Sequence, residues 1–114
     1  MHLIKAVALA TTIFLEVSAF TGRASFYDPN GVGACGIFNN PSDFVVAITP
    51  GHWANGAHCG RTVTVTSGGK TIQVKVVDEC FTCPADGIDL STGAFQQFAS
   101  LSAGIIDNVV WNFA

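Results

Sequence analysis

The chain has 114 residues, with five Lys and Arg against eight Asp and Glu, a formal net charge of −3. So few cations form no basic patch, which argues against a nucleic acid or an anionic membrane as partner and leaves an uncharged polymer or a protein surface. The length is that of one domain with a modest core.

Residues 1–19 have the pattern of a signal peptide. Lys5 is the only positive charge of a short leading region, Ala6–Leu15 is apolar except for Thr11 and Thr12, and Val17 and Ala19 give the small-residue pattern ahead of a cleavage point. The run is shorter than the about 20 apolar residues that cross a bilayer. A buried N-terminal strand or helix is the alternative. The exported domain is then 20–114, an extracellular protein expected to be a monomer.

Arg23–Tyr27 alternates as a strand, with Ser25 and Tyr27 on one face and Ala24 and Phe26 on the other. Asp28-Pro29-Asn30-Gly31 is a turn signal. Phe44–Thr49 is apolar and β-branched, as a strand buried on both faces would be. Pro50–Gly56 reads as a loop in which Trp53 is exposed. Thr62–Thr66 and Thr71–Val77 alternate strictly around Gly68-Gly69, a two-residue turn. That turn sets Val65 opposite Ile72 and Val63 opposite Val74 on a core face, with Thr64 opposite Gln73 and Thr62 opposite Lys75 on a wet one. Ile88-Asp89-Leu90 is a short extended piece, and Ser91 caps a helix running to about Ser100. Ile105–Phe113 is a last strand, with Ile105, Asp107, Val109, Trp111 and Phe113 sharing one side. Short strands with one short helix predict an all-β barrel.

Cys35, Cys59, Cys80 and Cys83 all fall in the exported part and read as two disulfides, with three pairings open. Cys80-x-x-Cys83 has zinc-ligand spacing, but no second close pair completes a zinc pattern. His52 and His58 have no third ligand nearby, so no metal or cofactor is expected. A redox role for the pair lacks a strand–CxxC–helix frame.

The ordered set Gly22-Arg23-Ala24-Ser25-Phe26-Tyr27, Gly33-Ala34-Cys35-Gly36, Cys59-Gly60, the hairpin, Val77-Asp78-Glu79-Cys80, Ile88-Asp89-Leu90-Ser91 and Trp111-Asn112-Phe113 resembles the secreted double-psi β-barrels. That superfamily includes expansin first domains, fungal loosenins, rare lipoprotein A-like domains, barwin, kiwellins, family 45 endoglucanases and a bacterial papain inhibitor. A lone barrel of this size is most similar to the loosenins and the papain inhibitor. The resemblance implies a six-stranded double-psi barrel with a groove on one face. It places Asp89 at the position of the endoglucanase general acid, which expansins retain for wall loosening. Asp78 takes the place of a second groove acid, and Tyr27 a groove position at the end of the first strand. It also implies Cys35–Cys59 and Cys80–Cys83 as the bridges.

Hydrolysis of a β-glucan needs a second carboxylate as base. Asp28 stands in about the right place but also opens the turn, where an aspartate ordinarily caps its own backbone. The resemblance therefore implies a protein that binds cell-wall polysaccharide (cellulose, chitin or β-glucan) and loosens it without cleavage, with Tyr27, Asp28, Trp53, Asp78 and Asp89 as the candidate contacts. Phe81 is a further aromatic candidate. A protein-binding role, as a cysteine-protease inhibitor or kiwellin-like partner, is the alternative. A weak endoglucanase using Asp89 and Asp28 is a third. Each acid also has a structural role open to it. Asp78 could satisfy backbone amides at a strand end or pair with Arg61 or Lys75, and Asp89 could favour the start of the helix.

Overall fold

A computed structural model describes residues 18–114; the predicted signal peptide lies outside them apart from Ser18 and Ala19. The described residues form eight strands: β1 Phe20–Tyr27, β2 Gly31–Val32, β3 Phe38–Asn39, β4 Val45–Ile48, β5 Thr62–Ser67, β6 Lys70–Glu79, β7 Ile88–Ser91 and β8 Ile106–Phe113. Six of them close into a barrel in the order β1-β7-β4-β6-β5-β8, and β2 and β3 form a separate ribbon. The β1–β7 and β4–β6 pairs are parallel and the other barrel pairs antiparallel. This mixed six-stranded barrel is the double-psi barrel that the family resemblance implies.

The hairpin forms in the expected register, Val63 opposite Val74 and Val65 opposite Ile72. Gly68 and Gly69 take φ of 56° and 79°, the left-handed pair that a two-residue turn matching strand twist requires. Val63, Val65, Val74 and Val76 enter the core, where they meet Val46, Ile48, Ile88, Leu90 and the fully buried Trp111. All four residues of β4 are buried, as its composition demands.

Three elements differ from expectation. The helix after Ser91 is one turn, Thr92–Phe95 (α2), because Ser100 accepts a bond from Ser102 N–H and opens a new 3₁₀ turn, Leu101–Ala103. Ala94 and Phe95 are buried and Phe98 and Leu101 pack on the core, so the apolar spacing is used by successive turns. In β8, Asn108 sits at φ 57°, which asparagine tolerates, and the alternation flips there. Val109 and Trp111 point inward as predicted, but Ile106 packs on the core while Ile105 is exposed. Pro50–Gly56 is not an open loop. It forms a helical turn, Pro50–Trp53 (α1), followed by a 3₁₀ turn, and Trp53 is half-buried against the core.

Both disulfides are Cys35–Cys59 and Cys80–Cys83. Among the described residues no cysteine is free.

Candidate functional site

Strand pairing builds the site. Ser25 on β1 lies opposite Asp89 on β7, Asp89 opposite Ala47 on β4, and Ala47 opposite Asp78 on β6. The flanking residues Ala24, Phe26, Ile88, Leu90, Val46 and Ile48 face the core, so this four-residue row faces outward. A bulge in the β4–β6 register between Val46 and Ala47 brings Asp78, not Val77, opposite Ala47. With strands about 4.8 Å apart, the two aspartate backbones stand roughly 10 Å from each other across one alanine.

Ser25 Oγ donates to Asp89 Oδ1 at 3.0 Å. Partial burial holds the Asp89 carboxyl above the usual carboxylate range; the Ser25 bond opposes this and the Asp78 charge adds to it. Tyr27 follows Ser25 by two residues on the same outer face. Its hydroxyl is buried with no hydrogen-bond partner. Burial, then the charges of Asp78 and Asp89, push this phenol well above the ordinary tyrosine value. Tyr27, Asp78 and Asp89 thus share one electrostatic environment.

Asp78 is held from two sides. Its Oδ1 accepts from Ala34 N and from its own neighbour Glu79 N, both at 2.8 Å. Cys35 N donates to Val77 O at 3.1 Å, so the loop after β2 lies flat on the end of β6. Gly33 permits this approach, since a Cβ there would sit 2.8 Å from Asp78 Cγ. Beside Asp78 opens a cleft of about 220 Å³ whose walls include Tyr27, Asp28, Asn30, Val32, Gly33 and Asn39. The half-buried Asp89 is outside that lining.

Asp28 reaches the cleft but does not cap its own turn. Its Oδ1 accepts from Thr92 Oγ1 at 3.2 Å, and the backbone turns through tight bonds from Asn30 N to Asp28 O and from Gly31 N to Pro29 O. Asp78 has neither Arg61 nor Lys75 as its partner and serves backbone amides, one of the roles open to it. Trp53 stands apart from the cleft. Its Nε1 donates to Cys35 Sγ at 3.3 Å and its ring lies over Gly56, so it covers the Cys35–Cys59 bridge. Phe81 is 77% exposed inside the Cys80–Cys83 ring. His52 packs on Phe20 and Trp111 and bonds Asp86 at 2.9 Å, a structural position. Sequence reasoning missed Ser25 as the partner of Asp89, although it had placed Ser25 and Tyr27 on one face. It also missed Ser91 as more than a cap. The Ser91 hydroxyl accepts from Ala94 N and Val45 N and donates to Asp43 O.

A papain inhibitor of Streptomyces mobaraensis is 37% identical over 100 residues, covering 82% of this chain and 70% of its own length. The solved Streptomyces papain inhibitor superposes with a TM-score of 0.77 at 34% identity, over 85% of this chain and 94% of that one. A mutant Clavibacter michiganensis expansin in complex with cellohexaose superposes with a TM-score of 0.77 at 26% identity, over 85% of this chain but half of the expansin. Residues 19–110 match the DPBB_1 family, described as "Lytic transglycolase". With that match over most of its length, the chain belongs to this double-psi β-barrel family.

Proposed function

We propose that this is a secreted, expansin-like protein of the loosenin type, which binds cell-wall polysaccharide along the Asp89–Ala47–Asp78 row and loosens it without hydrolysis. The observation that carries this reading is the row itself, two carboxylates on one outward face beside a cleft, with the Tyr27 hydroxyl unpaired between their fields. Glycan hydroxyls can donate to Asp89 and to the Asp78 oxygen that backbone amides leave free. Such bonds compete with those between polymer chains. Likeness to an expansin that holds cellohexaose supports the same use of the fold. The n-region, apolar run and small-residue pattern of residues 1–19 support export, as do the two disulfides.

Hydrolysis is not proposed. It needs one carboxyl to protonate the leaving oxygen and another to activate water. Asp78 is tied to two amides, and Asp28 is exposed and bonded to Thr92. Co-sedimentation with cellulose, chitin and β-glucan tests binding, with a reducing-sugar assay alongside that should stay at background.

A second reading has its own support. The papain inhibitor matches at higher identity than the expansin, and over 94% of its solved chain against half of the expansin. Phe81, clipped between two bridged cysteines, is a rigid exposed ring of the kind that anchors protein partners. A papain inhibition curve tests it. Inhibition lost in Phe81→Ala and kept in Asp89→Asn would favour a protease target.

A further inference from the structure

The β2–β3 ribbon presents apolar surface that no part of the barrel covers. Val32 is 66% exposed and Phe38 61%. They are direct cross-strand partners, so both side chains leave the ribbon on one face, with Cβ atoms about 5 Å apart. Val32 is also a wall residue of the cleft that holds Tyr27 and Asp78. The apolar face therefore continues from the cleft without a break. The ribbon is fastened through the loop between its strands. Asp78 and the Cys35–Cys59 bridge hold that loop, and within the ribbon the buried Asn39 donates from Nδ2 to Ile37 O. The segment 29–42 contains no charged residue, and its polar side chains are Asn30, Asn39, Asn40 and Ser42.

We infer that Phe38, with Val32, is an apolar platform that extends the cleft into a second sugar subsite for a neutral β-linked glycan. The inference rests on the proposed glycan-binding role. A pyranose ring has apolar C–H faces and a rim of hydroxyls. A flat phenyl ring beside uncharged amides takes the face and the rim together, while the carboxylate row takes the hydroxyls of the neighbouring sugar. A charged protein surface would find no counter-charge on this ribbon, whereas a neutral polymer needs none. The platform lies beyond the cleft, so it is reached only by a chain longer than the cleft holds.

Calorimetric titration with cello-, chito- and laminari-oligosaccharides of two and six sugars tests this, on the intact protein and on Phe38→Ser, Phe38→Trp and Asp89→Asn. The side chain is exposed, so the melting temperature of Phe38→Ser should match the wild type. Phe38→Ser should weaken six-sugar binding about five- to tenfold and leave two-sugar binding unchanged, and Phe38→Trp should retain or tighten it. Asp89→Asn should weaken both lengths. Wild-type binding with equal loss of both lengths, or no loss, in Phe38→Ser would overturn the platform alone. No binding by the wild type would overturn the glycan-binding role and the platform with it. Papain inhibition lost in Phe38→Ser, with glycan binding intact, would assign the ribbon to a protein partner instead.

Discussion

Asp89 and Asp78 lie in one lateral row on the outer wall of the barrel, separated only by the small side chain of Ala47. Ala47 is itself almost fully covered, at 4% exposure. A larger residue at this point would stand between the two carboxylates. Ala47→Leu should therefore weaken glycan binding, measured by co-sedimentation with β-glucan, and because the site is already covered it should also lower the melting temperature.

The Asp89 carboxyl has a consequence for stability. Its pKa is raised in the folded state by burial, with Ser25 opposing and Asp78 adding to the shift. The folded protein then holds a proton that the unfolded chain has already released. Stability is highest below the unfolded-state value and falls as pH rises through the window up to the folded-state value, beyond which it is flat. Melting temperatures from about pH 3 to about pH 7 should show this fall, and Asp89→Asn should remove it. Ser25→Ala takes away the bond that favours the ionised form, so the fall should extend to higher pH.

Asp78 has separable roles. Its Oδ1 serves the Ala34 and Glu79 amides, and the other oxygen is available to a ligand. Asn keeps one acceptor oxygen and Ala keeps none. Asp78→Ala should cost about 1–2 kcal/mol in chemical denaturation, whereas Asp78→Asn should stay near wild type. Both should weaken glycan binding.

Ser91 is fully buried and its hydroxyl joins three backbone groups, Asp43 O, Val45 N and Ala94 N. Ser91→Ala leaves an amide and a carbonyl unpaired at the start of β4. The expected loss is about 2–3 kcal/mol, a fall in melting temperature of roughly 10–15 °C. Scanning calorimetry gives the value.

The two disulfides should differ in worth. Cys35–Cys59 closes a separation of 24 residues and Cys80–Cys83 one of three. Loop-closure entropy gives the first about 3 kcal/mol and the second markedly less. Denaturant titration of the paired Cys→Ser variants should rank them in that order, and loss of the first should also free the loop that clasps Asp78.

The hairpin and the outward face of Ser25 and Tyr27 were legible in the sequence, because alternation and a Gly-Gly turn leave one register for the pair; the bridges followed only from the family resemblance, since four cysteines leave three pairings open. The row was not legible. Phe44–Thr49 is apolar on both faces, so nothing local marks which side Ala47 takes or that a bulge will bring Asp78 opposite it. The meeting of Asp89 and Asp78 depends on β4 lying between two strands distant in sequence, which periodicity cannot report. Trp53 looked exposed because Pro50 and Gly51 suggested a loop, but Pro at the first helical position starts a turn that folds the indole onto the disulfide. The ribbon escaped notice because strands of two residues carry no pattern.

Whether the row grips glycan is decided by co-sedimentation with insoluble β-glucan, comparing the intact protein with Asp89→Asn at matched melting temperature. Binding that is saturable in the wild type and reduced about tenfold or more in Asp89→Asn, with no sugar released, is the predicted result. Equal binding by the two proteins, or no binding by either, would contradict it.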